Sequence, residues 1–226
     1  MLKFVAACLL LSASVLLAAD EAAKTDNVPE SEFTPLCNGK DLSGWVGATK
    51  GYTVKDGVVA FIKGQGGNIY TEKEYADFIF RFEFKLDPGS NNGLAIRAPL
   101  MGDPAYVGME FQILDDGHPK YKGIKDYQTH GSIYGIAPAK RGLLKLAGEW
   151  NEQEVIVNGR HVKITLNGVV INDVNLDEVA PGGKTIDGKK HPGLQNKTGH
   201  LGFAGHGDYI EFRNLRIKEL NKDEKK

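Results

Sequence analysis

Between Asp77 and Asp87 the chain alternates with a period of two. Phe78, Phe80, Phe82, Phe84 and Leu86 share one face, while Ile79, Arg81, Glu83 and Lys85 take the other. One apolar face and one charged face describe a strand packed on a core and wetted on its back, the habit of antiparallel sheets. The same alternation recurs over 58–62, 94–98, 109–115, 154–158, 161–167 and 210–218. Turn residues separate these runs: Asp56-Gly57, Asp87-Pro88-Gly89, Asn158-Gly159, Asn167-Gly168 and Gly205-His206-Gly207-Asp208. The repeated Asn-Gly pair predicts a meander of hairpins from 154 to 175, because both residues accept positive φ. Helical periodicity is absent outside the N-terminal run. The pattern therefore predicts an all-β domain over 33–220, an antiparallel β-sandwich or jelly roll. The long irregular stretches 116–149 and 177–198 are where a rigid sandwich is expected to bind its ligand.

The ends of the chain follow different rules. Met1-Leu2-Lys3 opens an apolar run from Phe4 to Ala19, and Asp20-Glu21 closes it. This reads as a signal peptide over 1–19, cut after Ala19, although Leu17 is large for its position before the cut. A retained anchor is the weaker reading, since a bilayer span takes about 20 apolar residues and this run carries Ser12 and Ser14. A lipid-attachment reading would need a cysteine after the run, whereas Cys8 lies near its start. The mature chain is expected outside the cytoplasm, secreted or periplasmic, with no membrane span, a flexible linker over 20–32 and a charged tail over 221–226. Cys37 is then the last cysteine, so no internal disulfide forms, and it reads as a small buried hydrophobe at the start of the first strand.

Composition narrows the classes. The chain has 226 residues, 41% hydrophobic, with 28 Lys and Arg against 29 Asp and Glu. It is too apolar for disorder and too evenly charged to hold nucleic acid by electrostatics, so a nucleic-acid partner is not expected.

Candidate chemistry lies on one pair of strands. In 109–115, alternation sends Met109, Phe111 and Ile113 to the core, so Glu110 and Gln112 project from the other face about 7 Å apart. In 94–98, Leu94 and Ile96 point inward and Ala95 and Arg97 outward. If the strands are neighbours, Arg97 lies across from Glu110 or Gln112, and a carboxylate, an amide and a guanidinium on one face suit sugar hydroxyls. An exposed face with an ordinary ion pair reads equally well from the pattern. Asp115-Asp116-Gly117-His118 ends the strand, and Asp115 with His118 is a candidate for a divalent metal ion or for acid/base groups. A strand-terminating turn is the alternative there. His206 between glycines and His130 in Gln128-Thr129-His130-Gly131 are the histidines placed for chemistry; His161 and His200 read as structural. Retaining β-glucanases of the jelly-roll class carry Glu-x-Asp-x-x-Glu here. This chain reads Glu110, Gln112 and Asp115, so a pair of carboxyls roughly 5 to 5.5 Å apart is not supplied.

Several segments resemble one family: Asn38-Gly39-Lys40-Asp41-Leu42-Ser43-Gly44-Trp45, Asn91-Asn92-Gly93-Leu94-Ala95-Ile96-Arg97, Glu110-Phe111-Gln112-Ile113-Leu114-Asp115, Gly148-Glu149-Trp150-Asn151, Leu166-Asn167-Gly168 and Phe212-Arg213-Asn214-Leu215-Arg216-Ile217. Their order and spacing are similar to the 3-keto-disaccharide hydrolase domain family over about 33–220. The loop at Met101–Tyr106 departs from its pattern. The resemblance implies a concanavalin-like jelly roll that hydrolyses glycosides oxidised at the third carbon. A ketone there acidifies C2–H, so one base, one oxyanion stabiliser and one acid suffice. Glu110 is expected as base, Arg97 or a cation as stabiliser, and His206 or His130 as acid. Gln112, Asn92, Tyr134 and Asp115 are expected to hold the sugar. A sugar oxidoreductase must supply the ketone. A noncatalytic, lectin-like carbohydrate-binding module on the same fold is the alternative.

Overall fold

The computed structural model describes residues 28–220. The expected signal peptide, the first part of the expected linker and the tail over 221–226 lie outside the described residues. Two compact units divide at Phe33. In the described part of the first, Glu30–Glu32 forms a 3-10 turn where the sequence suggested a featureless linker.

From Thr34 onward the chain folds into strands β1 (Thr34–Pro35), β2 (Trp45–Gly47), β3 (Tyr52–Lys55), β4 (Val58–Phe61), β5 (Ile69–Tyr75), β6 (Phe78–Leu86), β7 (Asn91–Ala98), β8 (Met109–Leu114), β9 (Trp150–Asn158), β10 (His161–Leu166), β11 (Val169–Asn175), β12 (Gly199–Gly205) and β13 (Ile210–Glu219). They form an eight-stranded sheet in the order β11-β10-β9-β6-β13-β4-β3, with β1 added beside β13, and a five-stranded sheet in the order β2-β5-β12-β7-β8. Every pairing is antiparallel. This is the expected jelly-roll sandwich. The Asn158-Gly159 and Asn167-Gly168 hairpins stand where the turn chemistry puts them, with Asn167 at φ +50°.

The period-two faces meet in the core. Phe80, Phe82 and Phe84 of β6 point from the larger sheet into a cluster with Phe203 and Phe212. Phe203 and Phe212 stack at 3.9 Å, and Phe82 meets Phe203 edge-on at 6.2 Å. Burying each such ring contributes about 1.5–3 kcal/mol, so this aromatic seam is a main source of cohesion among the described residues, whose one cysteine is free. The Asn38–Trp45 motif serves the same frame. Asn38 Oδ1 accepts from the amides of Lys40 and Asp41, Asp41 Oδ1 accepts from Ser43, and the Trp45 indole donates to Leu36 O at 2.7 Å while stacking on Phe203. Cys37 is half-buried and follows β1 rather than opening it. Trp150 lies outside the core, on the outer face of the larger sheet, between Lys85 and Arg213 at 4.9 and 4.0 Å from its ring centroid.

Candidate active site

The smaller sheet presents its outer face to a cavity of about 200 Å³. Register decides which side chains reach it. On β8, Met109, Phe111 and Ile113 enter the core, so Glu110 and Gln112 face out, as alternation requires. On β7, Ala95 stands opposite Glu110 and Gly93 opposite Gln112. Small residues on the neighbouring strand leave the space into which the Glu110 side chain folds.

Glu110 is 5% exposed, and its Oε1 has no hydrogen-bond partner among the described residues. A buried acceptor without a donor is costly, and the described residues supply none to this oxygen. His206, from the β12–β13 turn, places Nε2 3.7 Å from that oxygen, an ion-pair distance longer than a hydrogen bond. The Glu110 carboxylate raises the His206 pKa above its ordinary 6.5 against the opposing effect of burial, with Asp103 and Asp208 adding to the rise. The turn is pinned because Asp208 accepts from the Asn91 amide at 3.0 Å.

Loops complete the wall. Asp103 caps the short helix Pro104–Val107 by accepting from the Ala105 amide at 3.0 Å, and this cap brings Ala105 and Tyr106 to the rim. Tyr121, Ile124, Gln128 and Tyr134 come from the long 116–149 stretch. Gln112 donates to Asn91 Oδ1 at 2.8 Å, and Gln128 to the Tyr134 hydroxyl at 3.2 Å. Amides and phenols cross-linked in this way form a lattice of donors and acceptors matched to hydroxyls.

Of the residues the sequence singled out, Glu110, Gln112, His206 and Tyr134 meet in this cavity, and the others do not. Arg97 is turned away. β7 fits three steps, Ala95 to Ala98, against two on β12, Gly202 to His200, so the strand bulges and Arg97 adopts φ +48°. A bulge breaks the alternation on which the outward placement rested. The guanidinium is buried and bonds Asp77 Oδ1 at 2.9 Å and the carbonyls of Ala76, Gly159 and Asn196 at 2.9, 3.0 and 3.4 Å. It clamps the β5–β6 turn to the β9–β10 hairpin and has no reach to Glu110.

His130 is likewise inside the sandwich. Its Nδ1 accepts from the Leu114 amide at 3.3 Å, its Nε2 meets Gln153 Oε1 at 3.1 Å, and its ring stacks on Phe84 at 5.2 Å. Burial drives its pKa down to about 4 despite the Gln153 bond, so the ring is neutral. Asn92 pairs with Ile113 and shares its inward direction; Oδ1 accepts from the Gly93 amide, while its neighbour Asn91 reaches the cavity. Asp115 accepts from the Gly89 amide at 2.7 Å, outside the cavity lining. His118 Nδ1 accepts from the Lys120 amide and caps a 3-10 turn. The pair serves chain turns, and among the described residues no group of three His, Cys, Asp or Glu is placed to hold a metal ion.

Reading by residues missed Asp103, Tyr106, Tyr121 and Gln128, which have no strand period to expose them. The departure of the 101–106 loop from the family pattern was the one local sign. His191, which had no distinguishing setting in the sequence, is buried, with Nδ1 2.9 Å from Ala105 O and Nε2 3.1 Å from Asp187 Oδ2.

Related proteins fit this geometry. A 3-keto-disaccharide hydrolase of Bacteroides thetaiotaomicron is 26% identical over 244 residues, covering 89% of this chain and 84% of that protein. The crystal structure of a putative glycosyl hydrolase from Parabacteroides distasonis is 31% identical, superposes with a TM-score of 0.74, and covers 83% of this chain and 99% of its own. The CBM66 carbohydrate-binding module of Bacillus subtilis, 14% identical with a TM-score of 0.52 over 80% of this chain and 98% of its own, shares the fold. Residues 32–218 match the 3-keto-alpha-glucoside-1,2-lyase-like domain, and the chain belongs to that family.

Proposed function

We propose that this protein is an exported enzyme that cleaves 3-keto-glycosides by elimination and rehydration, with Glu110 as base and His206 as acid. The observation that carries the reading is the pairing at the cavity floor. A buried carboxylate with an unfilled oxygen stands 3.7 Å from an imidazole whose proton it helps retain. A base and an acid side by side suit bond breaking at adjacent carbons, since the C2 proton and the oxygen on C1 belong to neighbouring atoms of the ring.

Glu110 takes the C2 proton, and the electron pair passes into the ketone as an enolate. The enolate then expels the C1 substituent, whose oxygen takes the proton of His206 Nε2. Water adds back across C1 and C2. A positioned acid or base contributes about 10²–10⁴-fold. Gln112, Asn91, Gln128 and Tyr134 hold the hydroxyls of the ring. The ketone requires a separate sugar oxidoreductase acting first.

The test is incubation of the purified protein with 3-keto-trehalose or a 3-keto-glucoside, with and without chelator. Release of the second sugar by wild type and its loss in Glu110→Gln is expected. Binding without turnover would replace this reading with the lectin-like one; full activity in Glu110→Gln would remove the assigned base. Activity lost to chelator and restored by a divalent ion would add a metal to the scheme.

A further inference from the structure

The enolate takes over the negative charge that Glu110 gives up on accepting the C2 proton, and it needs a donor aimed at the ketone oxygen. His206 is committed to the leaving oxygen, Arg97 is spent elsewhere, and no Lys or Arg lines the cavity. The wall does carry phenols, and their bonds separate them. Tyr121 donates its proton to Gly89 O at 3.0 Å. Tyr134 accepts from a neutral amide, Gln128. Tyr106 accepts from the ammonium of Lys189 at 2.8 Å. An ammonium has donors and no acceptor, so the Tyr106 proton must point elsewhere, and a cation behind the oxygen makes that proton a stronger donor.

The ring is held from its other side. Its centroid lies 4.9 Å from that of His191, whose buried ring is fixed between Ala105 O and the Asp187 carboxylate. Asp187 in turn occupies space under Gly135, at φ +73°, where a Cβ would stand 2.6 Å from Oδ2. The 185–191 segment thus delivers a positive charge to a cavity whose own lining lacks Lys and Arg.

We propose that Tyr106 is a catalytic residue that donates its hydroxyl hydrogen bond to the 3-keto oxygen as C2–H breaks, and that Lys189 is the positioning residue that orients and polarises it. This rests on the elimination reading above. No net proton leaves Tyr106. The C2 proton goes to Glu110, its electron pair enters C2–C3 and moves charge to the ketone oxygen, and that charge returns to form C1=C2 as the C1–O bond breaks. The leaving oxygen takes the His206 proton. Tyr106 lowers the energy of the charged intermediate, an effect for which one well-placed donor contributes about 10²–10³-fold.

The experiment uses the mature protein with Tyr106→Phe, Lys189→Met and Lys189→Arg. Two rates are read: exchange of C2–H into D2O by NMR, and release of the leaving group from 3-keto-trehalose and from a nitrophenyl 3-keto-glucoside. Tyr106→Phe is expected to slow exchange and both releases together, about 100-fold in kcat with KM little changed. Lys189→Met is expected to fall between it and wild type, and Lys189→Arg to restore most of the rate. Exchange at the wild-type rate in Tyr106→Phe overturns the proposal. So does a defect that disappears with nitrophenolate, which would make Tyr106 an acid for the leaving oxygen. Lys189→Met, changed at an exposed site, guards against a folding artefact, and an unchanged exchange rate there removes the role of Lys189. Wild type that neither exchanges C2–H nor releases product defeats the elimination reading itself, whereas an active wild type matched by Tyr106→Phe defeats this inference alone.

Discussion

Gly93 lies directly under the carboxylate of Glu110: a Cβ built on it would stand 1.9 Å from Oε1 and 2.4 Å from Cγ. The carboxylate occupies volume that any other residue at 93 would fill. Gly93→Ala is therefore expected to displace the carboxylate and lower kcat about 100-fold or more, the scale of a lost general base. Gly93 is not at positive φ, so backbone strain does not enter. Circular dichroism should show the folded sandwich, and steady-state kinetics the loss; a variant with wild-type kcat would mean that the carboxylate has room to move without consequence.

The Glu110–His206 pair gives a pH signature. Glu110 is the main cause of the raised His206 pKa, so the imidazole stays protonated above pH 6.5 and activity is expected to fall only as pH climbs through the raised value. The pair's contribution to stability has the same sign: present below the ordinary histidine pKa and lost as pH rises through the folded one. NMR titration of the His206 ring should report a value above 6.5 in wild type and a lower one in Glu110→Gln. An identical value in both would separate the two residues electrostatically.

Arg97 is expected to behave as part of the frame. Arg97→Ala leaves the half-buried Asp77 with the Gly159 amide but no guanidinium and strips three carbonyls of their donor, a loss expected to cost about 3 kcal/mol, the low end for a broken buried pair. Denaturant unfolding should show that loss, while kcat per folded molecule and the C2–H exchange rate remain near wild type. A stable variant with a collapsed kcat would return Arg97 to the reaction.

His130 gives the opposite pH dependence to His206. Its folded pKa is about 4, so the unfolded chain takes up a proton first as pH falls below 6.5. Stability is complete above 6.5 and declines toward pH 4, by on the order of 3 kcal/mol. His130→Gln should flatten that decline in urea titrations between these two values. An equally steep decline in the variant would assign it to other groups.

The strands with a long unbroken period were legible in the sequence, β6 and β8 above all, because one buried face imposes the alternation, and β13 was legible on either side of its irregularity at Asn214. The short edge strand β2 and the glycine-rich β12 were not, since three residues or a run such as Gly199-His200-Leu201-Gly202 carry no period. Glu110 and Gln112 could be placed because β8 is regular throughout. Arg97 was misplaced by a single bulge, and Asn92 by the choice between two adjacent asparagines, which only register decides. His130 sits in a loop motif that looks exposed, yet its loop folds back so that Phe111 bridges to Ile133 and the imidazole enters the core. Tyr106 and Lys189 lie far apart in the chain, and no local pattern announces a bond between them.

β1 lies beside β13, with Thr34 opposite Ile217. The first and last strands of the sandwich therefore leave from one spot, on the sheet that does not carry the cavity. A tether or an added module joined at either end would hold the sandwich by its back, with the cavity facing outward. Attachments of that kind can be exchanged between relatives, or the ends spliced and the chain reopened at a distant turn, without disturbing a residue that lines the cavity.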